Sequence, residues 1–172
     1  MSITRLIEDA WSDECIADGL TCQEKGRKFS LRTQNEEEAI LLNLEACSEW
    51  PSKEKRCDCV LCCRHQQDME LTVVFIELKG VNVRDSLEQI KESKRLLCRK
   101  SGYSVDKHGI YKDHHISLAH AQTMQALVIP SSSLSQRQLE KSRFRKRYRI
   151  DVRQKTKKFE ASSVRELQKI LS

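Results

Sequence analysis

The sequence predicts a mixed α/β (α+β) fold, in which a central mixed β-sheet is flanked by helices. Residues 71–79 form an apolar, β-branched run of strand length that ends at Gly80. A helical pattern follows, and residues 124–129 form a second buried strand before Pro130. Strand, helix and strand in this order are typical of a parallel pair with a crossover helix. A chain of 172 residues can bury one full core, so we expect a single domain over 1–172.

The first half of the chain is predicted to hold one helix and several strands. Apolar residues recur at near-helical spacing over residues 3–17, before a turn at Asp18 and Gly19. Periodicity does not separate helix from strand in the apolar run after Glu38, and we favour a strand there. The predicted strands cover residues 29–32, 40–46, 57–63 and 71–79, the last two as hairpin neighbours across a polar turn.

The second half is predicted to contain three helices, a long loop and two strands, one of them at 124–129. Asp85, with Glu88 three residues later, predicts the cap of a helix that ends near Lys100. Residues 103–120 are polar, contain four histidines and predict a long loop. A basic helix, a strand over 147–153 and a closing helix capped by Ser163 complete the prediction.

Composition favours an ordinary protein with a highly charged surface, since 38% of residues are hydrophobic and 33% are charged. No apolar run approaches the roughly 20 residues of a membrane span, and the N-terminus lacks the apolar core of a signal peptide. We therefore expect a cytoplasmic protein that does not bind a membrane.

Eight cysteines are present, and a cytoplasmic location predicts that they are reduced thiols. Four of them crowd together as Cys57, Cys59, Cys62 and Cys63. A strand would send Cys57, Cys59 and Cys63 to one face and Cys62 to the other, which does not match the spacing of a zinc knuckle. Buried core packing is the better interpretation, with a zinc-stabilised interaction domain as a weaker alternative.

Positive charge is concentrated in one segment of the chain. Residues 137–158 contain eleven Lys and Arg but only two acidic residues, a local charge of +9, so the rest of the chain carries −3. Such a block attracts phosphate backbones, although a solvated basic face has the same composition. The candidate nucleic-acid-binding residues are Arg143, Arg145, Lys146, Arg147, Arg149, Lys155, Lys157 and Lys158.

A charged pair closes the apolar strand at 71–79. Glu77 and Lys79 are two residues apart, so they share a strand face at a spacing of about 7 Å. Asp58 lies on the neighbouring predicted strand, within reach of Glu77 if the two share a face. Two carboxylates can bind a hard cation such as Mg²⁺, and a lysine can orient an attacking water. An ordinary ion pair at the strand end is the alternative for Glu77 and Lys79.

These residues resemble the PD-(D/E)xK nuclease superfamily, whose fold is restriction-endonuclease-like. Residues 57–61 resemble the strand that bears the first acid of the family, and residues 76–80 resemble its ExK strand. The resemblance covers a core of about 36–130, leaves a basic helix-strand-helix segment at about 134–172, and extends to small bacterial members. Cys57 replaces the proline of the motif, and Ser93 stands where some branches have tyrosine.

The resemblance implies the roles of individual residues. Asp58, Glu77 and the backbone carbonyl of Leu78 would bind Mg²⁺ or Mn²⁺, and Lys79 would position the water. Gln89 would be the glutamine that many members carry on the following helix. An additional upstream acid would be Glu45 or Glu37, with Glu45 preferred if the strand at 40–46 is correct.

The sequence therefore predicts a metal-dependent nuclease that hydrolyses phosphodiester bonds, with DNA as the expected substrate. A non-catalytic subunit that binds nucleic acid or protein on the same fold is the alternative, because a fold does not fix an activity. A homodimer or a protein partner is compatible with either hypothesis.

Overall fold

The computed structural model describes residues 2–8, 11–48, 55–68, 71–78, 83–100, 123–129, 150–154 and 158–172. The elements are α1 Ile3–Glu8, a 3₁₀ turn Asp13–Cys15, β1 Thr21–Glu24, β2 Arg27–Leu31, β3 Glu37–Asn43, β4 Cys59–His65, β5 Thr72–Glu77, α2 Val83–Lys100, β6 Thr123–Val128, β7 Ile150–Gln154, β8 Lys158–Ala161 and α3 Val164–Leu171. The predicted mixture of helices and strands is confirmed.

The larger sheet has the strand order β3-β4-β5-β6-β7. Strands β3, β4 and β5 pair antiparallel, whereas β5, β6 and β7 pair parallel, so this sheet is mixed as predicted. Helix α2 connects β5 to its parallel neighbour β6, which confirms the predicted crossover. A second, three-stranded sheet with the order β1-β2-β8 was not predicted as a separate sheet.

Strand β5 is buried along its whole length because both faces of the larger sheet are covered. On one face, Val73 and Phe75 belong to a core shared with Ile3 of α1 and Ile90 of α2. On the other face, a second core joins residues of the sheet to α3 and to the smaller sheet, including Val74, Ile76, Leu167, Phe29 and Phe159. The larger sheet therefore separates the two hydrophobic cores.

The observed ends agree with the predicted ends for one helix and differ from them for two. The Ser163 side chain caps α3 and accepts a hydrogen bond from the Glu166 amide at 3.0 Å, as predicted. Helix α2 begins at Val83, so the prediction of Asp85 as its cap is wrong; Asp85 lies in the first turn, where the helix dipole favours a carboxylate. Helix α1 ends at Glu8, well before residue 17.

The N-terminal helix was predicted too long because two separate segments face the same core. Ile3 and Ile7 in α1 and Cys15 in the 3₁₀ turn are all buried there, together with Trp11 between them. A helical period of apolar residues therefore continues across a break in the helix. The predicted long loop at 103–120, the predicted basic helix and the first part of the strand predicted at 147–153 lie outside the described residues.

Four cysteines form disulfides, Cys15–Cys47 and Cys22–Cys59, so the prediction of reduced thiols is wrong for them. The partners are 32 and 37 residues apart, and only the folded chain brings them together. The free cysteines among the described side chains are Cys57, Cys62 and Cys63, and all three are buried. Cys57 packs in the same core as Cys62 rather than with Cys59, because the chain bends at Asp58 before β4 begins.

Within the described ranges, no helix combines the length and the apolar character needed to cross a membrane.

Candidate metal centre

Asp58 lies at a bend directly before β4 and is 5% exposed. In the antiparallel pairing of β4 with β5, the Cys59 residue that follows Asp58 lies opposite Ile76, which precedes Glu77. The Asp58 carboxylate accepts a hydrogen bond from the Leu78 amide at 2.5 Å. Asp58 is thus attached to the end of the strand that carries Glu77.

The backbone around Asp58 is fixed from three directions. The Cys57 amide donates to the Ser93 hydroxyl of α2 at 2.8 Å. The Leu44 amide, just beyond β3, donates to the Asp58 carbonyl at 3.1 Å. Cys59 is bonded to Cys22 of β1. A helix, a strand end and the smaller sheet therefore hold the residue in place, as a preorganised ligand requires.

Glu77 is the last residue of β5 and is 1% exposed. Its carbonyl accepts from the Ile129 amide at 2.8 Å, which attaches this strand end to the chain just after β6. Burial raises the pKa of the Cys57 thiol well above its usual range, and the nearby carboxylates of Glu77 and Asp58 raise it further. Both carboxylates therefore favour the protonated form of this thiol.

Three carboxylates converge at this end of the sheet, and we refer to Glu24, Glu45 and Asp58 as the acidic group. One oxygen from each lies within 4.8 Å of the other two. Glu24 ends β1, Glu45 follows β3, and Asp58 precedes β4. Glu77 is not a member of this group, although its strand end is hydrogen bonded to Asp58 through Leu78.

The spacing of the acidic group fits a hard divalent cation. Two oxygens bonded to one Mg²⁺ lie at most about 4.2 Å apart, and the corresponding limit for Ca²⁺ is about 5 Å. The oxygens of the acidic group lie within 4.8 Å of one another, which is inside the second limit, whereas Mg²⁺ would require the most distant of them to move closer together. Like charges this close repel one another, and a bound dication would offset that repulsion.

Glu45, predicted as the additional acid, is in a turn rather than in a strand. Strand β3 ends at Asn43, whose side-chain oxygen accepts from the amides of Glu45 at 3.1 Å and of Ala46 at 3.4 Å. This turn directs the exposed Glu45 toward Asp58. The other candidate, Glu37, begins β3 at the far end and accepts from the Val164 amide of α3 at 3.0 Å.

Glu24 was not predicted as a site residue. It precedes a two-residue turn in which Lys25 and Gly26 both have positive φ, the conformation of a tight hairpin turn. The adjacent strands, Thr21–Glu24 and Arg27–Leu31, are short, so their alternation is a weak signal. The Lys25-Gly26 pair was the one local feature that could have indicated this hairpin.

Arg27, the first residue of β2, also reaches the site. Its guanidinium donates to the Leu78 carbonyl at 2.9 Å, the carbonyl that the resemblance assigns to the metal. A metal at that oxygen would therefore share it with the guanidinium or displace it. Gln89 is half-buried in the second turn of α2, and its role stays a prediction.

Lys79 and most of the basic segment lie outside the described residues. Lys158 is exposed at the start of β8, and it is the one candidate of the nucleic-acid-binding set whose side chain is described. The remaining candidates outside the described side chains are Arg143, Arg145, Lys146, Arg147, Arg149, Lys155 and Lys157. Their roles remain predictions.

Comparison of the chain with protein-family models, with curated proteins and with solved structures gives no match.

Proposed function

We propose that this chain is a divalent-cation-dependent nuclease that hydrolyses phosphodiester bonds, with DNA as its substrate. One observation carries the proposal: Asp58, directly before β4, and Glu77, the last residue of the adjacent β5, are both buried, and the Leu78 amide donates a hydrogen bond to the Asp58 carboxylate. Carboxylate oxygens are the ligands that a hard cation takes, so two buried carboxylates at one strand edge favour a functional role.

The order of the strands supports a restriction-endonuclease-like core. Three antiparallel strands, β3 to β5, are followed by the crossover helix α2 and the parallel strand β6. Asp58 precedes the second of these strands and Glu77 ends the third. In the nuclease superfamily that the sequence resembles, the two metal-binding acids are expected at these positions.

The acidic group provides additional oxygen ligands. Asp58 would bind the cation together with Glu77 or with Glu24 and Glu45, whose carboxylate oxygens are suited to Mg²⁺ or Mn²⁺. A bound cation would neutralise charge on the phosphate and lower the pKa of a water molecule. Lys79, two residues after Glu77 at the end of β5, would orient that water. The Arg27 guanidinium donates a hydrogen bond to the Leu78 carbonyl and holds it in place.

Charge supports nucleic acid as the substrate. The acidic group is repulsive to a phosphate in the absence of a cation, and the basic segment at 137–158 provides the compensating +9. Contacts from such a segment to phosphates would contribute affinity without reading sequence.

The test is cleavage of single-stranded, duplex and branched DNA, with RNA in parallel, in Mg²⁺ or Mn²⁺ and with a chelator. We expect chelator-sensitive cleavage of at least one DNA substrate, which Glu77→Gln and Lys79→Ala each abolish while DNA binding is retained. Glu160→Gln is the control, because Glu160 is exposed on β8 in the smaller sheet.

Unchanged cleavage in both site variants would contradict the assignment of these residues. An inert protein across all substrates and both metals would contradict the nuclease itself. Retained DNA binding by that inert protein would instead support the non-catalytic subunit.

A further inference from the structure

Two disulfides flank the acidic group, and each of its carboxylates is within two residues of a bonded cysteine. Cys59 directly follows Asp58, and its partner Cys22 is two residues before Glu24. Cys47 is two residues after Glu45, and its partner Cys15 belongs to the 3₁₀ turn. One bond therefore ties the segment of Glu24 to the segment of Asp58, and the other ties the turn of Glu45 to the 3₁₀ turn.

We propose that the two disulfides are positioning groups for the acidic group, so that its cation affinity depends on the redox state of the protein. This inference rests on the proposed function, because it concerns the same cation site. It assigns to the site a form of regulation by thiol and disulfide chemistry.

The Cys22–Cys59 bond joins the two sheets at the site. Glu24 ends a strand of the smaller sheet, whereas Asp58 precedes a strand of the larger one. Without the bond, the turn at Lys25 and Gly26 would still be attached through Arg27, which donates to the Leu78 carbonyl. Reduction would therefore loosen the position of Glu24 relative to Asp58 without removing the hairpin from the protein.

The Cys15–Cys47 bond holds the turn that carries Glu45. Beside it, the Glu14 carboxylate accepts from both the amide and the hydroxyl of Ser48, and these hydrogen bonds lower the pKa of Glu14. Both contacts are exposed, so water competes with them. The covalent bond is thus the stronger constraint on the Glu45 turn, which otherwise depends on the Asn43 side chain.

The chemistry requires a dithiol reductant. Its thiolate attacks one sulfur of a protein disulfide, and its second thiol completes the exchange, leaving two protein thiols and the cyclic disulfide of the reagent. Two electrons and two protons pass to the protein for each bond. Since all four bonded cysteines are at most 5% exposed, we expect the reaction to require local opening and to be slow.

The experiment measures Mn²⁺ binding to the full chain by the electron paramagnetic resonance of free Mn²⁺. The protein is measured oxidised, after dithiothreitol treatment and anaerobic removal of the reagent, and after reoxidation. Alkylation under denaturing conditions should modify four more thiols in the reduced sample than in the oxidised sample. Circular dichroism checks that each sample remains folded.

We expect the reduced, folded protein to bind Mn²⁺ at least about tenfold more weakly, by analogy with the loss of groups that orient metal ligands, and reoxidation to restore the affinity. Cys22→Ala should show most of this loss before any reduction. Cys62→Ala is the matched control, since Cys62 is a buried free thiol on the same strand β4, and its affinity should be unchanged.

Equal Mn²⁺ affinity of the oxidised and reduced proteins, or of Cys22→Ala and Cys62→Ala, would overturn the inference and leave the proposed function standing. Absence of Mn²⁺ binding by the oxidised protein would overturn the proposed function and this inference with it. If reduction unfolds the chain, the comparison of the two alanine variants, both oxidised, decides the outcome.

Discussion

The hydrogen bond between α2 and the residue before Asp58 gives a prediction with an internal control. Ser93 and Cys57 are both fully buried, and the Ser93 hydroxyl accepts from the Cys57 amide at 2.8 Å. Ser93→Ala would leave that amide without its acceptor in the core, at a cost of about 1–3 kcal/mol. The higher helix propensity of alanine returns about 0.5 kcal/mol. We expect a net loss of about 0.5–2.5 kcal/mol in the free energy of unfolding.

Ser86→Ala is the matched control for Ser93→Ala. Ser86 is on the same helix and 1% exposed, and its hydroxyl has no hydrogen-bond partner within the part of the chain that the structure describes. Its replacement removes a buried polar group and gains the same helix propensity, so we expect stabilisation of about 0.5 kcal/mol or more.

Urea unfolding followed by circular dichroism, with the disulfides intact, measures both variants. Relative to the original protein, the urea midpoint should be lower for Ser93→Ala and higher for Ser86→Ala. The slope of the unfolding free energy against urea concentration should be unchanged. Equal urea midpoints for the two variants would show that the Ser93 hydroxyl does not stabilise the backbone before Asp58.

Three further predictions concern stability. Burial raises the pKa of the Cys62 thiol from 9.0 to about 12, so its contribution to stability is complete below pH 9 and is lost as the pH rises towards 12. Cys62→Ala should reduce the alkaline slope of the unfolding free energy by about 1.4 kcal/mol per pH unit, and an unchanged slope in urea titrations would contradict this. Ser163→Ala removes the cap that accepts from Glu166 and should cost about 1 kcal/mol, measured as a lower urea midpoint. Arg27→Met removes the donor to the Leu78 carbonyl and should cost about 1–2 kcal/mol in the same assay, where no change would show that water replaces the guanidinium.

The larger sheet could be predicted from the sequence because its central strands are buried on both faces. The run at Thr72–Glu77 and the strand Thr123–Val128 contain mainly apolar residues, and the helix between them has a clear buried face at Leu87, Ile90 and Leu97. These features are local, so neighbouring residues are enough to reveal them.

The smaller sheet could not be predicted in the same way, because it depends on contacts between distant parts of the chain. Strand β8 pairs in parallel with β2, from which it is separated by more than 120 residues. Its four residues, Lys158–Ala161, have two buried positions, and Phe159 is buried by stacking on Phe29 at a centroid distance of 5.7 Å. A strand this short has too little periodicity of its own to be recognised.

The candidate site was predictable only in part for the same reason. The positions of Asp58 and Glu77 at the ends of hairpin neighbours followed from the apolar strands that contain or adjoin them. Glu24 and the two disulfides depend on how the hairpin β1–β2 packs over the larger sheet. Cysteine spacing along the chain does not determine which sulfurs meet, so the bonds around the acidic group were not foreseen.

The rate at which Asp58→Asn cleaves the best DNA substrate in Mg²⁺ decides whether Asp58 is a ligand of the catalytic cation. Asparagine keeps the shape of the side chain and an oxygen that can accept from the Leu78 amide, but it removes the charge that a cation requires. We predict a rate at least about 100-fold below that of the original protein and of Glu160→Gln, with an unchanged circular dichroism spectrum. Cleavage by Asp58→Asn at the original rate would contradict the role of Asp58 as a cation ligand.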